Sequence, residues 1–465
     1  MRLLHDLAKI HARFDDPNLV SRAGLVPVMA LAQRAGLAAL VEEHVRITRP
    51  CGVNAQVKVA AIVAGMTGGA DSIDDLDLLR HGAMPELFGG IRAPSTLGSF
   101  LRSFTWGNVL QLGKVNRLVL AELARRAPLL PGKETLAFVD IDSQQKRVYG
   151  RNKQGAAFGH TKIQGKSLLV RGLNALAGTV STPLGAPVIA GTRLRGGNAN
   201  SARGAASFAA EAVGTARATG CTGIVVVRAD SAFYSAVFTS AVRRAGAYFS
   251  VTVQMNPHVA AAIAAIGEDA WTPISYPRAI WDDQLRRWVS DAEVAETRYT
   301  AFTSKKGQAV TARLIVRRVR DLNKHAGQGE LFAAWRYHAV FTDSPFEILQ
   351  AEEQHRDHAQ VEQVLADWTD GPLAHLPSGS FAANAAWLAL AAIAHNLLRA
   401  AGSLASLAYA KARGATIRRD LIDVAARTAR HGRGHITLHL PEGWHRQQEW
   451  MTLFETACGP PAAAA

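Results

Sequence analysis

Two short segments decide the fold of this chain: Leu136-Ala-Phe-Val-Asp-Ile-Asp142 and Ile224-Val-Val-Val-Arg-Ala-Asp230. Each is an apolar run rich in Val, Ile or Ala that ends in an acidic residue, a pattern typical of a buried strand. A buried carboxylate is costly unless it has a partner, and a divalent metal ion is the usual partner where two such ends converge. We therefore expect both strands to lie in one sheet and to direct Asp142 and Asp230 toward a metal site.

The segments beyond these runs alternate between strand and helix patterns. Residues 167–176, 187–190 and 248–253 are rich in β-prone residues, whereas 201–218 and 235–245 have the apolar spacing of helices. Three early strands, a helix, a strand, a helix and a strand predict an α/β fold whose order resembles the RNase H-like core.

Changes of pattern along the chain predict its domain organisation. Apolar residues have helical spacing in the first part of the chain and alternate with polar residues, as in β-strands, between about 257 and 345. Helical spacing then returns, and the last part is rich in basic residues. The predicted regions are a helical N-terminal domain (1–130), the first part of the RNase H-like core (131–256), a β-rich insertion (257–345), the second part of the core (346–400) and a basic C-terminal region (401–465).

One helix of the N-terminal region has two interpretations. Pro94 is followed by Ser95 and Thr96, and either hydroxyl is suited to cap the helix that follows. Short helices, a turn and this Arg-bearing helix resemble a helix-turn-helix that reads DNA. A plain helical bundle for assembly is the alternative.

The charge of the chain indicates an anionic partner. Its 465 residues carry a net charge of +14, and Arg dominates the basic side chains. Arg and Lys bind phosphate and release counterions, which favours nucleic acid. The alternative is the Arg bias of a GC-rich genome, which the abundant Ala and Gly also suggest.

Cysteine usage and hydropathy favour a cytoplasmic protein. The three cysteines have no metal-ligand spacing, and the N-terminus has no apolar signal core. The most apolar stretch, 382–400, contains Asn384, His395 and Asn396, so we expect a buried core helix and no membrane partner.

A third carboxylate completes the candidate site. We expect Glu362 to reach Asp142 and Asp230 from a late helix, since the β-rich insertion accounts for the long gap that precedes it. Phosphoryl transfer with two metal ions needs carboxylate ligands and little else. Mg²⁺ prefers such oxygen ligands.

Several ordered segments agree with one known family. They are Thr135-Leu-Ala-Phe-Val-Asp-Ile-Asp-Ser143, Val148-Tyr-Gly150, Leu194-Arg-Gly-Gly-Asn-Ala-Asn-Ser-Ala-Arg-Gly204, Val227-Arg-Ala-Asp-Ser-Ala-Phe-Tyr-Ser235, Glu268-Asp-Ala-Trp-Thr-Pro-Ile274 and Leu376-Pro-Ser-Gly-Ser-Phe-Ala-Ala-Asn-Ala-Ala-Trp387. The chain thereby resembles DDE transposases of bacterial insertion sequences, specifically the insertion-sequence family numbered thirteen-eighty.

The resemblance implies an activity, a cofactor and partners. It implies cleavage of double-stranded DNA at transposon ends and joining to target DNA, with Mg²⁺ or Mn²⁺ as cofactor. It implies a dimer when assembled on DNA and a bacterial, nucleoid-associated location. By matching, Asp142 is the first catalytic and metal-binding acid and Asp230 the second. Asp140, on the same strand face as Asp142, is the alternative for the first.

The helix that carries the third acid departs from the family pattern. Related transposases carry Tyr, Arg, Glu and Lys with two, three and six residues between them, which falls here on His355, His358, Glu362 and Thr369. Only the acid is retained, so the resemblance assigns Glu362 as the third catalytic residue. A catalytically impaired relic that only binds DNA is therefore the alternative function.

Seven polar residues are candidate DNA contacts. A Gly-rich loop contributes three of them, the second acidic strand one, the late helix one and the β-rich insertion two. A tight turn or a solvated charged face is the alternative for most. The candidates are Arg193, Arg195, Asn198, Arg228, His358, Arg317 and Arg318.

Overall fold

The computed structural model describes residues 4–163, 166–277, 280–283, 286–304, 306–320 and 335–459. Its N-terminal part is helical apart from one short strand, as the sequence predicts. The elements are β1 (Leu19–Val20), α1 (Leu25–Arg34), α2 (Leu37–His44), α3 (Ala55–Thr67), α4 (Met84–Leu87), α5 (Pro94–Arg102) and α6 (Trp106–Arg126).

The starts of these helices follow local chemistry. Thr105 caps α6, because its hydroxyl accepts the backbone N–H of Asn108 while the Asn108 side chain accepts the Thr105 N–H. Helix α5 begins at Pro94 without a side-chain cap, so the expected cap by Ser95 or Thr96 is wrong. Pro fits the first helical position since its missing N–H would have no partner there.

Seven elements follow the helical part and form the centre of the molecule. They include the two acidic segments of the sequence as β2 and β6. The elements are β2 (Leu136–Arg147), β3 (Ala157–Ile163), β4 (Lys166–Thr182), β5 (Gly185–Gly196), α7 (Ala205–Ala218), β6 (Ile224–Ala229) and α8 (Ala236–Arg244). A further strand, β7 (Tyr248–Thr252), closes this part.

One large mixed sheet organises these strands. Its order is β3-β4-β2-β6-β7, and β5 also pairs with β4. Strands β2, β6 and β7 run parallel, whereas β4 is antiparallel to β2. Strand β4 is long enough to pair with β3 along its first half and with β5 along its second half. The sequence predicted three early strands, and the structure has four.

The region after β7 contributes a helix and more strands. These are α9 (Pro257–Ala264), β8 (Thr272–Pro273), β9 (Ile280–Asp282), β10 (Arg287–Val289), β11 (Ala292–Ala301), β12 (Val310–Arg320) and β13 (Trp335–Thr342). Strand β13 pairs with β7, and the order continues β13-β12-β11-β8. The β-rich segment therefore extends the central sheet, because β13 pairs along the edge that β7 leaves open.

The chain ends in helices and a small sheet. The elements are α10 (Ile348–Arg356), α11 (Gln360–Thr369), α12 (Phe381–Ala405), α13 (Leu407–Ala410), α14 (Gly414–Ile417), β14 (Ala426–Arg430), β15 (Ile436–His439) and α15 (Gln447–Cys458). Strand β14 pairs with both β15 and β1. The two ends of the chain therefore meet in one three-stranded sheet.

Helix α12 is the central core helix. It is the one helix of the described ranges that is long and apolar enough to cross a membrane, unless the bent pair α1–α2 is counted as a second, and 89% of its apolar window is buried. It packs against α3, α6 and β5. Its many Ala residues favour helix and allow close approach of its neighbours. The prediction of a buried core helix is confirmed.

Candidate active site

Asp142 and Asp230 lie on neighbouring parallel strands. The register pairs Ile141 with Ala229, so the next residue of each strand is acidic. Strand β6 ends at Ala229, and Asp230 follows it directly. Strand β2 continues past Asp142 to Arg147, so this acid lies within a strand and not at its end. The expectation of one sheet for both is confirmed.

Local hydrogen bonds orient both carboxylates. The exposed Asp230 accepts the backbone N–H of Ala232 at 2.9 Å, which caps a short 3-10 turn. The half-buried Asp142 accepts the backbone N–H of Ser143 at 2.6 Å. No described residue donates a hydrogen bond to the other oxygen of either carboxylate, which leaves that oxygen available to a ligand.

Glu362 lies in the first turn of α11 and is exposed. The sequence predicted a late helix for this acid, and the structure divides this part into α10 and α11, separated by a 3-10 turn, Asp357–Ala359. Val361, Val364 and Trp368 bury the opposite face of α11. Because these apolar residues recur at helical spacing, the acidic side chain points away from the core.

Asp142, Asp230 and Glu362, the acidic trio, line one open cleft. The cleft has a volume of about 1180 Å³. Its walls come from β2, β3, the loop after β5 and α11. Lining residues outside the trio include Gln144, Phe158, His160, Asn198, Ser201 and Thr369. A cleft this wide and open suits a polymer segment better than an enclosed small molecule.

Electrostatics links the members of the acidic trio. The pKa of Asp142 is raised to about 6, chiefly by burial and also by the negative charges of Asp230 and Glu362. The Ser143 N–H and His358 act in the opposite direction. Mutual repulsion of this kind shows that the three carboxylates face the same space.

The donor set fits a divalent cation in its chemistry. Within the described ranges, no three His, Cys, Asp or Glu side chains are gathered closely enough to hold a metal ion. The acidic trio nevertheless offers carboxylate oxygens, the donors that Mg²⁺ and Mn²⁺ prefer. A bound cation would also relieve the repulsion that raises the pKa of Asp142.

A buried ion pair lies beneath the acidic trio. Arg228 donates from Nε to Asp140 Oδ1 at 2.6 Å and from Nη2 to Oδ2 at 2.7 Å. Arg228 also donates to the Gln354 carbonyl, and its guanidinium stacks 4.0 Å from the Phe138 ring centre. Burial opposes charge on Asp140, but the Arg228 charge holds the pKa of Asp140 below its ordinary value.

His358 completes this pair to form the buried triad of Asp140, Arg228 and His358. Its Nδ1 lies 2.9 Å from Asp140 Oδ1. Although burial disfavours the charged imidazole, the hydrogen bond to Asp140 raises the pKa of His358. Asp140 is therefore the partner of these two groups, and the cleft is lined by Asp142 instead.

Two DNA-contact predictions on this network are wrong. Arg228 has a side chain that is 1% exposed and fully engaged with Asp140, so it offers no face to DNA. His358 is 15% exposed and also directed at Asp140. The nearby His355 is half-buried and lies between the hydroxyls of Ser250 and Thr252, at 2.9 Å from each.

Three candidates were expected in a Gly-rich loop, but Arg193 and Arg195 lie on β5, and only Asn198 lies in the loop that follows. Arg195 is buried and donates to Asn174 Oδ1 and to three loop carbonyls, so it orders the loop and does not reach DNA. Arg193 pairs with Glu211 at 2.8 Å over the Phe208 ring. Asn198 is exposed and lines the cleft, where DNA contact stays a prediction.

The two candidates on β12 are also internal. Arg318 is buried between the rings of Trp271 and Trp335 and pairs with Glu268 and Glu293 at 2.7 Å each. Such a desolvated, doubly paired guanidinium is not available to phosphate.

Arg317 pairs with Glu352, which is 4% exposed at its side chain. Glu352 also accepts from Arg356 at 2.9 Å. The sheet extension packs on α10 and buries Glu352. Glu353, the next residue, is exposed.

Some cleft residues were missed by reasoning from the sequence. Gln144 lies two residues after Asp142 on β2, and hence on the same face of the strand. Its amide lies 3.3 Å from the Thr369 hydroxyl, which joins β2 to α11. Period-two spacing from Asp142 was the signal that could have found it.

The chain matches the profile of the family described as "Transposase DDE domain group 1" over residues 4–457. No curated protein matches the chain. Among solved structures, one described as a cryo-EM structure of piggyBac transposase synaptic complex with hairpin DNA is similar, with 11% identity and a TM-score of 0.41. The similarity covers 84% of this chain and 78% of that one.

The fold is a mixed α/β fold in which one large sheet presents acidic residues to an open cleft. The chain belongs to the transposase DDE domain family, group 1, since the family profile covers nearly all of it.

Proposed function

We propose that the protein is the transposase of a bacterial insertion sequence in the family numbered thirteen-eighty. It cleaves DNA at the ends of its element and joins the freed 3′-hydroxyl to target DNA. The observation that carries the proposal is that the acidic trio lines one open cleft in a chain of the DDE family. The quoted sequence segments support the narrower family.

The proposed reaction has two steps, and in each one P–O bond forms as another breaks. A water oxygen attacks phosphorus at the element end, the bond to the 3′-oxygen breaks, and the 3′-hydroxyl is released with the proton that water loses. The oxygen of that 3′-hydroxyl then attacks a target phosphorus, the bond from this phosphorus to the target 3′-oxygen breaks, and the proton of the attacking hydroxyl is taken up by the departing 3′-oxygen. Both steps use the same cleft because attack and departure occur in line at one phosphorus.

The acidic trio is proposed to hold two Mg²⁺ or Mn²⁺ ions. The bound ions would stabilise the attacking and leaving oxygens. Asp142 and Asp230 contribute from adjacent strands, whose sheet fixes their backbones. Glu362 contributes from α11, which packs on the core through Trp368.

We also infer an RNase H-like core. The order β5-β4-β2-β6-β7, with β2, β6 and β7 parallel and β4 antiparallel, supports this assignment. Helix α11 follows the β-strands of the extension, which accounts for the distance in sequence between Asp230 and Glu362. The proposed insertion is thus β8–β13 with α9.

Double-stranded DNA is the proposed partner, both as element ends and as target. The net charge of +14 supports it through phosphate neutralisation. Bringing two element ends together requires at least a dimer on DNA. The exposed Asn198 beside the acidic trio is the proposed cleft contact that remains from the sequence predictions.

The test is cleavage and joining of duplexes that carry the ends of the protein's own element. Inverted repeats that border the gene supply those sequences. We expect Mg²⁺- or Mn²⁺-dependent cleavage by the wild type, and its loss in Asp230→Asn with DNA binding retained. Asp269→Asn, at an exposed site on a 3-10 turn outside the cleft, is the matched control.

The outcomes separate the candidate functions. Full cleavage by Asp230→Asn would overturn the assignment of the acidic trio. A wild type that binds the ends but never cleaves them would identify a DNA-binding relic. Cleavage without joining would identify a nuclease.

A further inference from the structure

On β2 and β6, the residues of the buried triad lie just before the acids of the acidic trio in sequence. Asp140 lies two residues before Asp142 on β2, and Arg228 lies two residues before Asp230. Side chains two residues apart on a strand share a face of the sheet. The buried Asp140–Arg228 ion pair therefore joins β2 to β6 directly beneath the two acids of the cleft.

The same relation holds on the helical side. His358 lies four residues before Glu362, which is about one helical turn. It occupies the 3-10 turn between α10 and α11, and its Nδ1 meets Asp140 at 2.9 Å. Arg228 reaches the same region by donating to the Gln354 carbonyl near the end of α10.

We propose that the buried triad is a positioning network that sets the spacing of the acidic trio. Asp140 lies on β2 with Asp142, Arg228 lies on β6 just before Asp230, and His358 lies in the turn that leads into α11. The triad ties these three elements together by short, charge-assisted contacts. The inference rests on the proposed function and deepens it, because it names the residues that hold the proposed metal ligands in place.

Physical chemistry supports a positioning role over a general stabilising one. A charge-assisted bidentate contact fixes direction as well as distance. Partners behind metal ligands govern how well those ligands converge, and their loss costs about 10- to 100-fold in metal affinity or activity. The helix that bears Glu362 contacts the sheet here through a turn, so its placement depends on the side chains that hold the turn.

The geometry also gives His358 a purpose different from phosphate binding. Where the family pattern has Arg, this chain has a shorter side chain that ends at Asp140. Arg228 already supplies the bidentate partner of that carboxylate. His358 adds a third contact to that carboxylate, from the turn that leads into the helix bearing Glu362.

The experiment compares His358→Leu, which removes the contact, with His358→Asn, which can return an N–H near the position of Nδ1. Mn²⁺ binding is measured from the loss of the free-ion EPR signal on the full-length protein without DNA. Cleavage of element ends is measured against Mn²⁺ concentration. His375→Leu is the matched control, since His375 forms an exposed 3.0 Å contact with Asp71 outside the lining of the cleft.

We expect His358→Leu to weaken Mn²⁺ binding by about 10-fold or more. His358→Asn should recover most of the affinity, and His375→Leu should match the wild type. If His358→Leu fails to fold, His358→Gln replaces it, because its longer side chain moves the amide away from Asp140.

The positioning role would be overturned if His358→Leu, or His358→Gln in its place, bound Mn²⁺ as tightly as the wild type. Cleavage by that variant would then also depend on Mn²⁺ concentration as it does in the wild type. The proposed function fails separately, by absence of Mn²⁺ binding and of cleavage in the wild type itself.

Discussion

Arg228 and Asp140 form a bidentate ion pair in which neither side chain is more than 1% exposed, between two strands that each carry an acidic residue two positions further on. An ion pair so deeply buried is stable only because each charge compensates the other. It explains why an acidic residue can follow a Val/Ile/Phe run without disrupting the sheet.

The first prediction concerns this pair. Arg228→Met leaves Asp140 with an uncompensated buried charge, so we expect a loss of about 3–5 kcal/mol in unfolding free energy. The double variant Arg228→Met with Asp140→Leu should recover much of that loss, since it removes both charges. Chemical denaturation of the two single variants and the double variant measures the coupling. Additive losses across this cycle would contradict it.

The second prediction concerns the acidic residue on α11. Glu362→Gln keeps the shape of the side chain and removes its charge, so cleavage of element ends should fall by about 100- to 1000-fold. Glu353→Gln, a neutralisation at an exposed position on α10, serves as the control and should cleave normally. DNA binding is measured in parallel by gel shift. Equal activity of the two variants is the result that would sink the role of Glu362.

The third prediction concerns pH and His355. Burial lowers the pKa of His355 to about 3, and the charges of His358, Arg228 and Arg317 add to this while Asp140 opposes it. The folded protein therefore keeps His355 neutral while the unfolded chain takes up a proton below its ordinary pKa of 6.5. Stability from this group is complete above pH 6.5 and is lost as the pH falls toward the folded value.

Denaturation at two pH values tests this. Between pH 7 and pH 5, the His355 imidazole should lower the unfolding free energy of the wild type by about 2 kcal/mol. The variant His355→Gln should not show this loss. The exposed His375 is the control position, and His375→Gln should keep the wild-type pH dependence. A pH dependence unchanged in His355→Gln would contradict the buried neutral state.

The fourth prediction concerns the loop after β5. Arg195 donates to Asn174 and to the carbonyls of Asn200, Ser201 and Arg203, so Arg195→Met should release the loop that borders the cleft. Loss of such buried hydrogen bonds costs about 1–3 kcal/mol. Faster hydrogen exchange across 197–203 and weaker DNA binding are the expected results.

Arg193→Met is the comparison for this loop. Arg193 is more exposed and pairs with Glu211 on α7, so its loss should leave exchange in the loop nearly unchanged. Equal protection of residues 197–203 in wild type and Arg195→Met would show that the loop is ordered by other contacts.

Two acidic strands, one buried helix and the family could be predicted from the sequence. Apolar runs that end in acids identified β2 and β6, and helical spacing identified α12 as a buried helix, because burial leaves a direct trace in residue order. The ordered segments around Asp142 and Asp230 were enough to predict a DDE transposase, and the family match confirms that level of assignment.

Only the tertiary structure decided the partners of the charged residues. Arg228, Arg317 and Arg318 look alike in sequence as candidate phosphate contacts, yet each one is engaged with an acid far away in the chain. Likewise, the apolar run alone does not distinguish Asp140, the buried partner, from Asp142, the acid of the cleft, and only the resemblance to the family favoured Asp142. The physical reason is that an ion pair forms only where two distant elements pack together. The sequence shows which residues are charged, but it does not show which of them become neighbours.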